Sequence, residues 1–269
     1  MGTLLLVHAH PDDEAISTGG AMMKANAGGH RVVLVTATRG EAGEIHNMDE
    51  KSTRPHLGDV RTKELEAASR LLGVNRGEFL GYRDSGMVGT PENDDPRSFH
   101  QAPLDEAAAK LAAILREERP DVVVTYDSDG TYGHPDHIKA HHVTNAALDL
   151  LDKEGWHPRK LYYTAIPRSA MQAFMEQLPE EARERQGAGM SIPGTPDELI
   201  TTRIDVADYV DRKRAAFAAH VTQNDPNSWF ATMADQIYRL AFGTEHYRLA
   251  RGKPGSELPE NDLFVGIDG

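Results

Sequence analysis

Cysteine is absent from the 269 residues, which removes disulfides, thiolate metal ligands, a cysteine nucleophile and prenylation together. Any metal must be held by His, Asp or Glu. Positive charge is also scarce: 29 Lys and Arg stand against 42 Asp and Glu, a formal net charge of -13. Nucleic acid phosphates and anionic lipid both call for a basic face, so neither is an expected partner and a small neutral or cationic substrate fits better. No apolar run approaches the roughly 20 residues of a membrane span. The chain enters a predicted strand at Thr3 without a basic leader or cleavable apolar segment, and Leu6 stands where a myristoylation signal wants Ser or Thr. The expectation is a soluble, cytoplasmic protein. The turn at His8 to Glu14 carries neither GxGxxG nor the phosphate loop G-x-x-x-x-G-K-[ST], so nucleotide binding has no motif behind it.

What is present suffices for a core. With 39% hydrophobic and 26% charged residues, the chain reads as one domain over residues 1–269. Apolar runs at 3–8, 32–37, 79–82, 122–126 and 161–165 alternate with stretches of helical period. That is the pattern of an α/β, Rossmann-like fold with a mostly parallel sheet covered by helices on both faces. The clearest helix is 104–118, where Leu104, Ala107, Ala108, Leu111, Ile114 and Leu115 recur at spacings of three and four before Pro120. Helices are also predicted from Glu14 to Ala27, ending at Gly28-Gly29, and from Thr62 to Leu72, ending at Gly73. Residues 40–58 and 83–103 read as long loops, 179–198 as a Pro, Gly and Glu-rich excursion, and Ile200 to Ile204 as a further strand. Long loops in compact domains tend to carry function.

The chemistry is concentrated at two predicted strand ends. Leu4 to Val7 delivers His8-Ala9-His10-Pro11-Asp12-Asp13-Glu14, and Val122 to Thr125 is followed by His134-Pro135-Asp136-His137. Ligands in an open α/β sheet gather at the C-terminal ends of the strands. His10 and Asp13, three residues apart at the mouth of the first helix, can reach one cation, while Asp12 points differently. His137 completes two nitrogens and one oxygen and leaves a position for water, the description of a catalytic zinc site. Taken singly, Asp12 or Asp13 reads as a helix cap and a turn histidine as surface decoration. The coincidence of two His-Pro-Asp clusters after two apolar runs favours the metal site. His30, His46, His56, His100 and His157 read as loop or solvated histidines, His141 as support behind a ligand or packing rather than a fourth ligand, Met22-Met23 as core, and Glu14 as a stabiliser of the helix entry or support for a ligand.

The pairing of Ala9-His10-Pro11-Asp12-Asp13-Glu14 with Gly133-His134-Pro135-Asp136-His137 resembles the PIG-L (LmbE-like) family of zinc-dependent N-deacetylases and amidases. Thr38 to Glu44, Arg61 to Leu65, Asp84-Ser85-Gly86, Thr125-Tyr126-Asp127 and Ala219-His220-Val221-Thr222-Gln223 extend the likeness over nearly the whole chain. The resemblance implies that His10, Asp13 and His137 bind zinc, or iron(II) in its place, and that Asp12 is the general base. It also implies that His134 is an acid or oxyanion partner oriented by Asp136, and that Tyr132 faces the oxyanion. Ser17, Arg61 and Asp84 would contact substrate, Arg61 as a fork of donors and Asp84 as an acceptor for sugar hydroxyls.

The implied activity is hydrolysis of an N-acyl bond on a glucosamine-type small molecule, such as deacetylation of N-acetylglucosaminyl-inositol. Ser17 and Tyr132-Gly133-His134 resemble the deacetylase branch. The run 220–227, Thr244-Glu245 and Asp262-Leu263-Phe264 resemble the mycothiol S-conjugate amidase branch, whose substrate is a thiol conjugate and which would carry a lysine where Ser17 stands. Two readings from other classes remain at this stage: a mononuclear Fe(II) oxygenase, which shares the two-His, one-carboxylate set, and a sugar-binding protein without turnover. The sequence leaves the oligomeric state open.

Overall fold

The protein is described here by a computed structural model covering residues 1–177, 194–228 and 232–267. Among the described residues a seven-stranded sheet runs in the order β3-β2-β1-β4-β5-β7-β6. The strands are β1 (Thr3–His8), β2 (Arg31–Thr38), β3 (Arg76–Tyr82), β4 (Val122–Thr125), β5 (Lys160–Ala165), β6 (Thr202–Asp205) and β7 (Thr244–Arg251). The first five pair in parallel, and β7 joins β5 and β6 antiparallel. The Rossmann-like, mostly parallel expectation therefore holds, with an antiparallel edge.

Alternation along the strands sorts the core into two layers. Leu5 and Val7 of β1 and Val33 and Val35 of β2 pack on one face beneath α5 (Leu104–Glu118) and α7 (Pro135–Lys153). Leu4, Leu6, Val32 and Leu34 pack on the other, beneath α2 (Gly19–Ala27), α4 (Leu57–Leu72) and α9 (Val210–Ala218). The helix predicted over 104–118 is found at those bounds, and the one from Thr62 starts earlier, at Leu57. The 40–58 stretch contains a short helix, α3 (Glu50–Thr53), and the 83–103 stretch a 3-10 turn at Pro91–Asp94. Of the excursion at 179–198, residues 179–193 lie outside the described residues; the predicted strand beyond it is β6, beginning at Thr202.

The helix predicted as continuous from Glu14 to Ala27 is broken. It forms α1 (Asp13–Ser17) and α2, parted at Thr18, whose φ of -139° leaves the helical region. Thr18 Oγ1 bonds the Glu14 carbonyl and lies 2.9 Å from His8 Nε2. The break exposes the first N–H groups of α2, and the buried Glu245 carboxylate accepts from Gly20 N and Ala21 N at 2.8 and 2.9 Å, as an acid at a helix N-terminus should. Gly20 permits the close approach: a Cβ there would lie 2.5 Å from Val206 Cβ.

Strand order reverses at β1, which has β2 on one side and β4 on the other. The crevice at such a switch point, beyond the carboxyl ends of the strands, is where this class of sheet binds ligands. Both His-Pro-Asp clusters open into it.

Candidate metal centre and active site

His10 follows β1 and His137 lies in the first turn of α7. His10 Nδ1 is 3.4 Å from Asp13 Oδ2, and His137 Nε2 is 3.4 Å from Asp13 Oδ1, so one carboxylate bridges the two rings. The far nitrogens are committed. His137 Nδ1 lies 3.2 Å from the Gly130 carbonyl and His10 Nε2 lies 3.2 Å from Asp136 Oδ2, and both partners accept only. Each ring can therefore donate on its far side and, with a cation bound beside Asp13, would turn a lone pair toward it, the arrangement typical of metal-ligating histidines. His137 Nε2 is buried without a hydrogen-bond partner, a cost that a bound cation would relieve.

The electrostatics ask for a cation. Burial alone would pull the His10 imidazole down, but Asp84, Asp13 and Asp136 outweigh it and hold the ring well above its usual value. Burial likewise raises Asp13, but His137 and His10 drive that carboxyl well below the usual range. These donors fit a divalent cation held by two imidazoles and one carboxylate. His134 also brings a nitrogen into the group, since one atom each of His10, His134 and His137 lie within 4.8 Å of one another. Its Nδ1, however, accepts from Asp136 N–H at 3.1 Å, so the neutral ring carries its proton on Nε2 and is a donor rather than a ligand. Burial, with the neighbouring His10 and His137, pulls His134 down to about 4, which keeps it neutral.

Asp12 stands apart from this set. Its φ of 119° is a conformation disfavoured for a side chain, and its carboxylate makes no cap bond to α1. That carboxylate instead faces Arg61 Nη2 at 3.1 Å, and burial pushes it up to about 6 against the opposing pull of Arg61. The Asp12 N–H donates to Glu14 Oε2 at 2.9 Å, while Glu14 Oε1 is 2.7 Å from His220 Nε2. Glu14 and His220 are both fully buried, so a segment from the far end of the chain holds the backbone of Asp12.

Arg61 is buried rather than open to ligand: its fork reaches the Gly40 and Pro11 carbonyls as well as Asp12. Gly40, at φ 67°, makes room, since a Cβ there would sit 2.0 Å from Arg61 Nη1. Asp84 is buried too, accepting from Gly86 N and Ala42 N and lying 3.5 Å from His10 Nε2. Asp136 approaches His10, not the His134 ring, with its carboxylate, which also accepts from Ser85 N and Oγ; only its backbone N–H meets His134. Tyr132 is 61% exposed beside the centre, its ring 5.0 Å from that of His137. Ser17 lies away from Arg61 and Asp84, in the wall of a hollow of about 450 Å³.

Tyr126, to which the sequence assigned no role, proves central. Its hydroxyl donates to Asp13 Oδ2 at 2.7 Å and accepts from Ala9 N at 2.9 Å, and its ring stacks on His137 with centroids 4.2 Å apart. The available signal was its place directly after the apolar run of β4. His141 bonds the Tyr126 carbonyl from α7 at 3.0 Å, which makes it a support. Met22 and Met23 are core.

Comparison with known proteins agrees with this geometry. The profile of the PIG-L family, described as GlcNAc-PI de-N-acetylase, matches residues 5–148. The 1D-myo-inositol 2-acetamido-2-deoxy-alpha-D-glucopyranoside deacetylase of Acidothermus cellulolyticus is 48% identical, covering 99% of this chain and 95% of its own. The protein of the same name from Salinispora arenicola is 45% identical over 98% of this chain and 91% of its own. Among solved structures, the N,N'-diacetylchitobiose deacetylase of Pyrococcus horikoshii superposes with a TM-score of 0.58 at 23% identity, covering 92% of this chain and 83% of that one, a likeness of fold. The chain thus belongs to the PIG-L family, and it is a metal-dependent hydrolase of amide bonds.

Proposed function

We propose that the protein is a zinc-dependent deacetylase of 1D-myo-inositol 2-acetamido-2-deoxy-alpha-D-glucopyranoside, releasing acetate and the free amine. The observation that carries this reading is the Asp13 carboxylate set between the near nitrogens of His10 and His137, with a second carboxylate, Asp12, on the adjoining residue. The names of the relatives favour the deacetylase over the conjugate amidase.

His10, Asp13 and His137 would hold the cation, which when bound supplies Lewis-acid polarisation of the acyl carbonyl and makes water acidic enough to attack near neutrality. Asp12 removes the proton from the attacking water, as its position beside the ligands and its lack of a cap bond allow. Arg61 and the Glu14–His220 pair fix the orientation of Asp12. The Nε2–H of His134, set by the Asp136 backbone N–H, donates to the oxygen that gains charge as the carbonyl becomes tetrahedral. The exposed Tyr132 hydroxyl stands ready to do the same. As the tetrahedral species collapses, the C–N bond breaks and Asp12 returns its proton to the leaving nitrogen. Ser17 lines the hollow beside the centre, where it can contact substrate, while Asp84 acts through His10.

The test is release of primary amine from the inositol glucosaminide by zinc-loaded protein, with a mycothiol S-conjugate run beside it. Asp12→Asn should keep one metal per chain and lose most turnover; near wild-type turnover would remove Asp12 as the base.

A further inference from the structure

Two hollows of opposite character flank the metal centre. Over the ends of β2 and β3 lies one of about 580 Å³, lined by Arg39, Glu41, Arg54, Asp59, Arg83 and Glu92. It adjoins the reaction centre through Asp84, whose backbone N–H bonds Glu41 and whose carboxylate bonds Ala42. Over the ends of β5 and β7 lies the hollow of about 450 Å³ that contains Ser17. Its wall is apolar over most of its area, from Ile16, Ile166, Ala170, Met171, Ala241 and Phe242, and is interrupted by the Lys213–Glu245 ion pair and His246; these residues come from α1, the end of β5, α8 (Arg168–Gln177), α10 (Asp235–Phe242) and their neighbours. Its wall includes Thr131, which stands between Tyr132 and Gly130, whose carbonyl lies 3.2 Å from His137 Nδ1, so the hollow adjoins the centre on this side.

Because the strand order is β3-β2-β1-β4-β5-β7, the ligand cluster at the ends of β1 and β4 stands between the two hollows. An amide whose carbonyl sits at that cluster sends its amine half one way and its acyl half the other. The amine half of a glucosaminide carries hydroxyls throughout and suits the charged hollow. Its acyl group is the one apolar part and suits the other, but an acetyl methyl occupies little of about 450 Å³.

We propose that the β5–β7 hollow is an acyl-binding subsite and that the enzyme hydrolyses N-acyl glucosaminides with linear alkyl acyl groups longer than acetyl. This rests on the amidohydrolase reading above. The reaction is unchanged: water adds to the acyl carbon, the C–N bond breaks, and a fatty carboxylate leaves with the protonated amine. Each methylene taken from water into an apolar wall strengthens binding by up to about fourfold, so an N-hexanoyl substrate should match or exceed the N-acetyl one in kcat/KM.

The experiment compares N-acetyl and N-hexanoyl glucosaminyl-inositol with the wild-type holoenzyme and with Ala170→Trp and Ala241→Trp. Both alanines are exposed positions in the wall, so the larger side chain intrudes on the hollow and not on the core. Acetate and hexanoate binding to the same proteins is followed by calorimetry. Expected are hexanoyl turnover at least equal to acetyl turnover, hexanoate bound more tightly than acetate, and about tenfold or greater loss of both preferences in the tryptophan variants with acetyl turnover retained. Efficient acetyl turnover with hexanoyl turnover lower, and unaltered in ratio by the tryptophans, overturns the subsite. Should neither substrate turn over, tighter hexanoate binding that Ala170→Trp abolishes supports the subsite while refuting the reaction; equal binding of the two carboxylates overturns both.

Discussion

Replacing His220 by alanine should damage catalysis and stability through Asp12, a residue that His220 does not touch. Imidazole Nε2 and Glu14 Oε1 are 2.7 Å apart in full burial, and the other oxygen of Glu14 accepts the Asp12 N–H. Asp12 is held at φ 119°, a backbone conformation that costs on the order of 1–3 kcal/mol and persists only where the surroundings impose it. Without the imidazole, the Glu14 carboxylate stays buried and loses its charged partner, a change that costs about 3–5 kcal/mol when one member of a buried pair is removed. For a chain of this size that is a fall in Tm of roughly 6–20 °C. Glu14 then relaxes, Asp12 drifts from its place beside the ligands, and a displacement of that kind lowers kcat by about ten- to a hundredfold.

Three readouts separate this from general loss of fold. Metal content and KM should be unchanged in His220→Ala, because no ligand is touched, while kcat falls. His220→Gln, whose side-chain N–H can still donate to Glu14, should recover part of both Tm and kcat. The third is pH. Burial pulls His220 down, but the charge and hydrogen bond of Glu14 outweigh it and raise the imidazole above 6.5. A raised imidazole contributes stability that is fully present below pH 6.5 and lost as pH rises through the folded value, so the Tm gap between wild type and His220→Ala should narrow above neutrality. A His220→Ala protein with wild-type kcat and Tm at pH 6 would refute the reasoning.

The remaining expectations concern the ligands and their supports. His10→Ala and His137→Ala should each reduce bound zinc measured by elemental analysis, and unchanged stoichiometry would remove that residue from the ligand set. Tyr126→Phe deletes the 2.7 Å bond to Asp13 without altering volume and should weaken zinc affinity about 10- to 100-fold in a chelator competition, the usual effect of losing a ligand's hydrogen-bond partner; unaltered affinity would show that Asp13 needs no such support. Arg61→Ala, which leaves Asp12 without its buried cation, should lower kcat more than it raises KM. An effect confined to KM would return Arg61 to direct contact with substrate.

What the sequence revealed and what it hid divide along one physical line. The strands β1, β2, β4 and β5 are buried on both faces and announce themselves as apolar runs, and the helix over 104–118 announces itself by period. The strand β7, Thr244–Arg251, carries Glu245, His246, Arg248 and Arg251 and offers no such run. Its place in the sheet comes from antiparallel pairing with β5 and β6, and an acidic residue stands at Glu245 because it caps α2 and pairs with Lys213 at 2.6 Å. Similarly, the broken first helix could not be read from its own residues, since what stabilises the break lies at Glu245 and Val206. His10, Asp12 and Asp13 on one hand and His134 and His137 on the other were legible because a strand end and a helix start confine each cluster to a few residues, and the two clusters follow strands β1 and β4 that lie side by side. Arg61 and Asp84 were legible as polar residues near loops but not as buried ones, because burial depends on what folds over them. His220 stands 206 residues from Glu14. No spacing rule connects them, and only closure of the C-terminal half over α1 makes that imidazole part of the geometry of Asp12.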